Sequence, residues 1–372
     1  MSRLDELIQE LCPDGVEYKK IKDSDYRRLK GTPITAGKMK EIANEDGDVR
    51  IFAGGRTVID AFEDDIPNAN VIRVPAVLVQ SRGVIDFVYY EKPFTFKNEM
   101  WAYTADDADS VKFLYYVLSN NTDYFRNSAS GMGSLPQISL PVTEDYEIPV
   151  PPLEVQQEIV RILDKFTELT AELTAELTAR KKQYEYYRDE LLMFGDDVPR
   201  VTFTEVINRI SSGKNKSKST EGTFPVYGST GEIGRTEKPV YSGKRILVAR
   251  VGANAGFVYA VDGEYDVSDN TLMIEVKDEM NFRYVYQMLV NINLNKLAKG
   301  GGQPLVTAGD LKKMDVYRPP FEIQGRVADI LDKFDMLCED ISSGLPAEIE
   351  ARTKQYEFYR DRLLSFKRKE AS

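Results

Sequence analysis

The chain has 372 residues, 42% of them hydrophobic and 29% charged, enough for two or three domains with cores of their own. It contains no histidine, which removes the commonest general base, imidazole-dependent triads and every histidine-ligated metal site. The formal net charge of −11, taken alone, argues against nucleic-acid binding, so the location of the charge decides that question. No apolar run reaches membrane-spanning length and none follows Met1-Ser2-Arg3, so a soluble, cytoplasmic protein without membrane contact is expected. Cys12 and Cys338 lie far apart and read as buried or idle thiols of a reduced compartment.

In chain order, residues 1–17 read as the tail of a repeat: Asp5-Glu6-Leu7-Ile8 and Pro13-Asp14-Gly15-Val16 echo Asp189-Glu190-Leu191-Leu192 and Gly195-Asp196-Asp197-Val198. Residues 18–150 hold short apolar or alternating runs such as Val74-Pro75-Ala76-Val77-Leu78-Val79 between turn residues, which predict strands, with one helix near 109–121. Residues 151–194 predict one long helix. Ile159, Ile162, Phe166, Leu169, Leu173, Leu177, Tyr184, Tyr187 and Leu191 recur every three or four residues, with one gap of seven, behind Pro151-Pro152. Residues 195–318 predict a second strand-rich domain, with Arg245-Ile246-Leu247-Val248-Ala249-Arg250 as a strand and a helix near 281–292. Residues 319–372 repeat the long helix, broken near 343–346 where Gly344 and Pro346 stand.

The two helical segments are near copies. PPLEVQQEIVRILDKF at 151–166 and PPFEIQGRVADILDKF at 319–334 share 9 of 16 positions; ARKKQYEYYRDELL at 179–192 and ARTKQYEFYRDRLL at 351–364 share 11 of 14. The globular stretches share only traces. Ile51-Phe52-Ala53-Gly54-Gly55 parallels Pro225-Val226-Tyr227-Gly228-Ser229. Val79-Gln80-Ser81-Arg82-Gly83 parallels Val248-Ala249-Arg250-Val251-Gly252. Gly131-Met132-Gly133-Ser134-Leu135-Pro136-Gln137 parallels Gly300-Gly301-Gly302-Gln303-Pro304-Leu305. Copied helices beside divergent domains are what a common frame carrying two different readers would show. The expected fold class is α+β: two strand-rich α/β domains separated by two long antiparallel helices, with pseudo-two-fold symmetry.

Charge is uneven. Residues 200–318 hold 17 Lys and Arg against 13 Asp and Glu; residues 20–150 hold 15 against 20. Basic and amide side chains suited to phosphates or base edges are Lys38, Lys40, Arg56, Thr57, Arg82, Lys97, Asn98, Ser134 and Gln137 in the first domain. In the second they are Lys214, Asn215, Lys216, Lys218, Ser229, Thr230, Arg235, Arg250, Asn254, Lys299 and Gln303. Each has a solvated surface role as its alternative.

The Ile-Leu-Asp-Lys-Phe blocks, the Arg-x-Lys-Gln-Tyr-Glu-x-Tyr-Arg-Asp blocks and the Thr-Ala-Glu-Leu run resemble the specificity subunits of type I restriction-modification systems, nearest the IC-like branch. The resemblance spans essentially the whole chain, tightly in the helices and loosely in the domains. It implies two target-recognition domains, each reading half of a split double-stranded DNA site. It implies two methyltransferase (M) subunits as partners, which bind S-adenosylmethionine, and motor-nuclease (R) subunits joined through that core. This chain would carry no cofactor, no metal and no catalysis. Consistently, Arg318-Pro319-Pro320-Phe321 has the wrong first residue for the Asn/Asp-Pro-Pro-Tyr/Phe motif of adenine methyltransferases, and no Gly-x4-Gly-Lys-Ser/Thr phosphate loop occurs. Tyr184, Tyr187, Tyr356 and Tyr359 are expected to face the methyltransferase subunits, or alternatively to pack between the helices. A coiled-coil scaffold with two protein-binding domains is the rival reading; it predicts no salt-dependent, sequence-specific DNA affinity.

Within the first helix, Thr170-Ala171-Glu172-Leu173 is followed by Thr174-Ala175-Glu176-Leu177. Four residues add about 6 Å of helix and turn its face by about 40°, comparable to one or two base pairs at about 3.4 Å each. The repeat reads as a ruler for the spacing of the two half-sites, against plain helix-favouring filler as the bland alternative.

Overall fold

The computed structural model describes residues 2–130, 135–216, 219–300, 304–338 and 344–370. It divides into two compact units, residues 1–172 with 350–372, and residues 173–349.

In the first unit, helix α1 (Arg3–Leu11) leads to β1 (Glu17–Lys20), β2 (Arg27–Leu29), α2 (Ala36–Ile42), β3 (Val49–Phe52) and β4 (Val58–Ala61). Then come β5 (Ala76–Gln80), β6 (Asp86–Tyr90), β7 (Phe94–Phe96), β8 (Trp101–Thr104), α3 (Ala108–Asn120), α4 (Thr122–Asn127), α5 (Leu140–Glu144) and β9 (Glu147–Val150). Helix α6 (Leu153–Leu192) is continuous through the tetrapeptide repeat and passes into the second unit. That unit contains β10 (Arg200–Thr202), β11 (Ile207–Ser212), β12 (Phe224–Gly228), β13 (Gly231–Thr236), β14 (Tyr241–Ser242), β15 (Arg245–Ala249), β16 (Val258–Val261), β17 (Glu264–Val267) and β18 (Thr271–Val276). It continues with α7 (Phe282–Ile292), α8 (Ala308–Lys312), β19 (Asp315–Tyr317) and α9 (Phe321–Cys338); α10 (Leu345–Leu363) returns to the first unit. The fold class is α+β, with two strand-rich domains alternating along the chain with long helices.

The two domains share one plan. Antiparallel sheets β2-β8-β5-β6 and β11-β18-β15-β16 correspond, as do the pairs β1-β9 and β10-β19. In each smaller mixed sheet a central strand pairs antiparallel on one side and parallel on the other: β3 with β4 and β7, β12 with β13 and β17. The apolar runs read as strands are central strands buried on both faces. On β5, Val77 and Val79 face the cluster that includes Phe113 and Leu114 of α3, while Ala76 and Leu78 pack with Phe52, Phe94 and Phe96. On β15, Ile246 and Val248 join the α7 cluster, and Leu247 packs with Tyr265 and Met273. Asp107 caps α3 by accepting from the Asp109 and Ser110 amides, and Asn281 caps α7 by accepting from Tyr284 N. Each domain also holds short helices that its loop-like sequence did not announce: α2, α4 and α5 in the first, α8 in the second.

The helical blocks belong to the domain cores. Val155, Ile159, Val160 and Leu163 of α6 and Leu364 after α10 are buried in the first core; Tyr184, Leu192, Val327, Ala328 and Leu331 are buried in the second. Within each unit the block of one repeat copy meets the complementary block of the other. Phe166 stacks on Tyr359 at 5.5 Å, and Phe334 stacks on Tyr184 and Tyr187 at 5.9 Å each. The expected break in the second helix falls partly on residues 339–343, outside the described residues; α10 starts at Leu345 with Pro346 in its first turn, where proline is tolerated. The sequence echo at residues 1–17 also has a place. Val16 N donates to Lys367 O and Lys369 N to Val16 O, both at 2.9 Å, and the Arg368 guanidinium lies over the Tyr18 ring.

Candidate nucleic-acid interface

In the first domain, loops from distant parts of the chain are tied together by main-chain hydrogen bonds. Thr32 N donates to Phe96 O at 2.8 Å, Lys97 N to Phe52 O at 3.0 Å, Gly55 N to Arg82 O at 3.2 Å, Gly83 N to Pro136 O at 2.9 Å and Ile138 N to Ser81 O at 2.9 Å. The second domain repeats most of these. Lys214 N donates to Val267 O at 2.9 Å, Ser268 N to Tyr227 O at 2.8 Å, Gly252 N to Pro304 O at 3.0 Å and Val306 N to Arg250 O at 2.9 Å. Gly83 and Gly252 both have left-handed φ, +82° and +84°, at the matching bend. Ser130 with Gln137, and Lys299 with Leu305, bracket the matching loops with reciprocal N–H···O bonds. The matched bonds define a cluster of loops built twice: they set Ser81 and Gly83 opposite Arg250 and Gly252, as the sequence parallel does, but Phe52 opposite Tyr227, one residue off the parallel, while residues 131–134 and 301–303 of the third parallel lie outside the described residues.

Several expected contact residues converge on it. Lys40, Thr57, Arg82 and Lys97 line one cleft of about 380 Å³ with Glu99 and Leu135. Asn98 and Gln137 line an adjoining cleft of about 630 Å³, which Glu99 shares. Lys40 and Arg82 make no ion pair among the described residues, which leaves them available to phosphates. Lys38 is paired with Glu41 at 2.8 Å on the same helix, and Arg56, itself at φ +65°, with Asp86 at 3.2 Å. In the second domain, Ser229 and Thr230 form the tip between β12 and β13, and Lys214 and Lys216 flank Asn215, whose Nδ2 donates to Asp266 at 2.6 Å. Arg250 leaves the end of β15 at the position of Ser81, by the matching bonds from Val306 N and Ile138 N. Lys299 pairs with Asp310 at 2.7 Å; that ammonium, then the Thr307 hydroxyl, hold the Asp310 carboxyl down at about 2.

Other expected residues do not join the cluster. Arg235 donates to the carbonyls of Gly222 and Thr223 and pairs with Glu232, so its guanidinium braces its own hairpin. Asn254 lines a separate cleft of about 310 Å³ with Phe257, Asn293 and Asn295. Ser134, Lys218 and Gln303 lie outside the described residues. Among the tyrosines, Tyr184 is only 8% exposed; it donates to Gln287 at 3.2 Å, and burial followed by the Asp335 carboxylate pushes its hydroxyl up. Its ring packs within the unit, stacked on Phe334, so little of it is left at the surface. Tyr356 is half-buried against the first core. Tyr187 and Tyr359 combine ring stacking with 38% and 37% exposure. Sequence reasoning missed Glu99, and it missed Tyr186 and Phe358, which are more exposed at 59% and 62%. A helical wheel through each Gln-Tyr-Glu-x-Tyr block would have separated these outer rings from the inner ones.

A family profile described as "Type I restriction modification DNA specificity domain" matches residues 16–180 and again 201–351. The chain belongs to that family. It is therefore a specificity subunit, the non-catalytic component that selects DNA sequence. It is 32% identical over 390 residues to the EcoR124I/EcoR124II specificity subunit of Escherichia coli, covering 94% of this chain and 91% of that one. It is 34% identical over 257 residues to the EcoprrI specificity subunit of Escherichia coli; that match covers 63% of this chain and 64% of the relative. The crystal structure of the type I restriction-modification S subunit from M. genitalium has the same fold, with a TM-score of 0.66 at 18% identity over 94% of this chain and 96% of that one. Among the described residues no group of three or more Cys, Asp or Glu side chains could hold a metal ion, and no helix is long and apolar enough to cross a membrane.

Proposed function

We propose that the chain selects a bipartite DNA site, with residues 18–150 and 195–318 as target-recognition domains that each read one half. The observation that carries this is the loop cluster built twice on matched main-chain bonds but with different side chains, in a member of a DNA-specificity family. One frame with two different faces suits two unlike half-sites. Lys40, Arg82, Lys214 and Lys216 contact phosphates and set register, while amide side chains such as Asn98 and Gln137 meet base edges. The acidic excess elsewhere keeps the rest of the surface from tracking DNA.

The helical blocks dock two methyltransferase subunits through the partly exposed rings of Tyr187 and Tyr359, and motor-nuclease subunits join through that core. S-adenosylmethionine belongs to the methyltransferase subunits. The Thr-Ala-Glu-Leu units set the length of the non-specific spacer between the half-sites. Genome-wide mapping of methylated adenines with and without this gene tests the reading. A bipartite motif that vanishes on deletion and returns on complementation is expected; a methylation pattern indifferent to the gene contradicts it.

A further inference from the structure

The turn between β7 and β8 and the turn between β17 and β18 are the same structure. Met100 N donates to Lys97 O at 2.9 Å, and Thr271 N to Ser268 O at 3.2 Å. The Glu99 carbonyl accepts from Ser81 Oγ at 2.5 Å, and the Asn270 carbonyl accepts from Arg250 N at 2.9 Å. These bonds make Glu99 and Asn270 counterparts on rigid turns, yet their side chains differ in chemistry. The Asn270 side chain is exposed. The Glu99 carboxylate sits where the two clefts meet, 2.9 Å from the Lys97 ammonium, with 27% and 21% of the two side chains exposed.

A carboxylate on a DNA-facing surface is repelled by phosphates. Lys97 occupies part of the Glu99 acceptor capacity; what remains suits a further hydrogen-bond donor, and in the major groove the donors are the amino groups of cytosine and adenine. Adenine sets an N7 acceptor beside its amine, which a carboxylate meets unfavourably; cytosine presents the amine alone, with guanine O6 and N7 acceptors across the pair. The Glu99–Lys97 pair offers an acceptor and a donor side by side, the complement of a C·G pair. An asparagine amide offers both on one planar group, the complement of adenine N6 and N7.

We propose that this turn position reads a base in each half-site: Glu99 accepts from a cytosine amino group in one, and Asn270 pairs with an adenine in the other. The inference rests on the proposed function and names two of its base-reading residues. The test expresses Glu99→Ala, Glu99→Gln and Asn270→Ala chains with their partner subunits in cells lacking the native gene, followed by mapping of methylated adenines. Glu99→Ala is expected to lower the preference for cytosine at one position of one half-site by about tenfold or more. Glu99→Gln is expected to turn that preference toward adenine, and Asn270→Ala to relax an adenine in the other half-site. In each case the untouched half-site and the spacer stay as they are. Unchanged half-sites in all three variants overturn this inference alone. Loss of all methylation with both Glu99 variants, while the native chain is active, also overturns it, because a base reader alters one position and does not abolish assembly. A pattern that ignores deletion of the native gene overturns the proposed function and this inference with it.

Discussion

Gly31 and Gly213 show at the residue scale how the loop cluster is held. A Cβ on Gly31 would stand 1.9 Å from Phe96 O, and one on Gly213 2.2 Å from Val267 O, so the chain passes against the neighbouring strand where no side chain fits. Gly31→Ala and Gly213→Ala are each expected to destabilise the protein by about 1–3 kcal/mol or more, read as a lowered melting temperature. Asp310 gives a pH-dependent check. Its carboxyl is held near 2, below its ordinary value of 3.8, by Lys299 and then Thr307, so its contribution is present above 3.8 and is lost as pH falls toward 2. The stability difference between the native chain and Asp310→Asn is expected to narrow over that interval in urea titrations. Lys40 and Arg82, lacking ion-pair partners among the described residues, test the phosphate role. Alanine at either position is expected to weaken DNA binding across all sequences and reduce the logarithmic salt slope by about 1. Sequence alone could find such residues only as basic or amide side chains near glycines. Lys40, Thr57, Arg82 and Lys97 line one cleft, but sequence could not tell Arg82, without an ion pair among the described residues, from Arg235, whose partners are carbonyls of its own hairpin.

At the scale of elements, the Ile-Leu-Asp-Lys-Phe block explains why the helices were the legible part. Its aspartate fastens a recognition domain to the helix in both units. Asp164 accepts from Lys112 at 2.7 Å and from Tyr116 at 2.5 Å; Asp332 accepts from Arg283 at 2.7–3.0 Å and from Gln287 at 3.1 Å. Its phenylalanine stacks on tyrosines of the opposite copy. Both duties are shared by the two copies, so the block stays the same while the strands around it diverge. These pairs are partly exposed, and Asp332→Ala is expected to cost about 1 kcal/mol after allowance for solvent screening, checked by denaturant unfolding. Strand positions were readable for β5 and β15 because both faces are buried and the run is apolar. Short helices such as α2 and α8 were not, because Ala-Gly-Lys-Met-Lys-Glu-Ile and Ala-Gly-Asp-Leu-Lys carry too few apolar positions to declare a period. Their starts are set instead by Thr35 and Thr307, which cap them through side-chain oxygens.

At the scale of the whole molecule, a duplicated reading face is joined to a helix of defined length. Helix α6 runs unbroken for 40 residues, about 60 Å at 1.5 Å per residue, and Thr170 to Leu177 lie inside it. No side chain from Thr170 to Leu177 is buried, so that stretch adds length without adding to either core. One added tetrapeptide lengthens the helix by about 6 Å and rotates its C-terminal part by about 40°. The most direct measurement is genome-wide mapping of methylated adenines with chains that carry one Thr-Ala-Glu-Leu unit fewer, the native two, and one more. Both half-site sequences are predicted to stay constant while the spacer shortens or lengthens by one or two base pairs per unit. Half-sites that change while the spacer stays fixed would contradict a ruler built into α6.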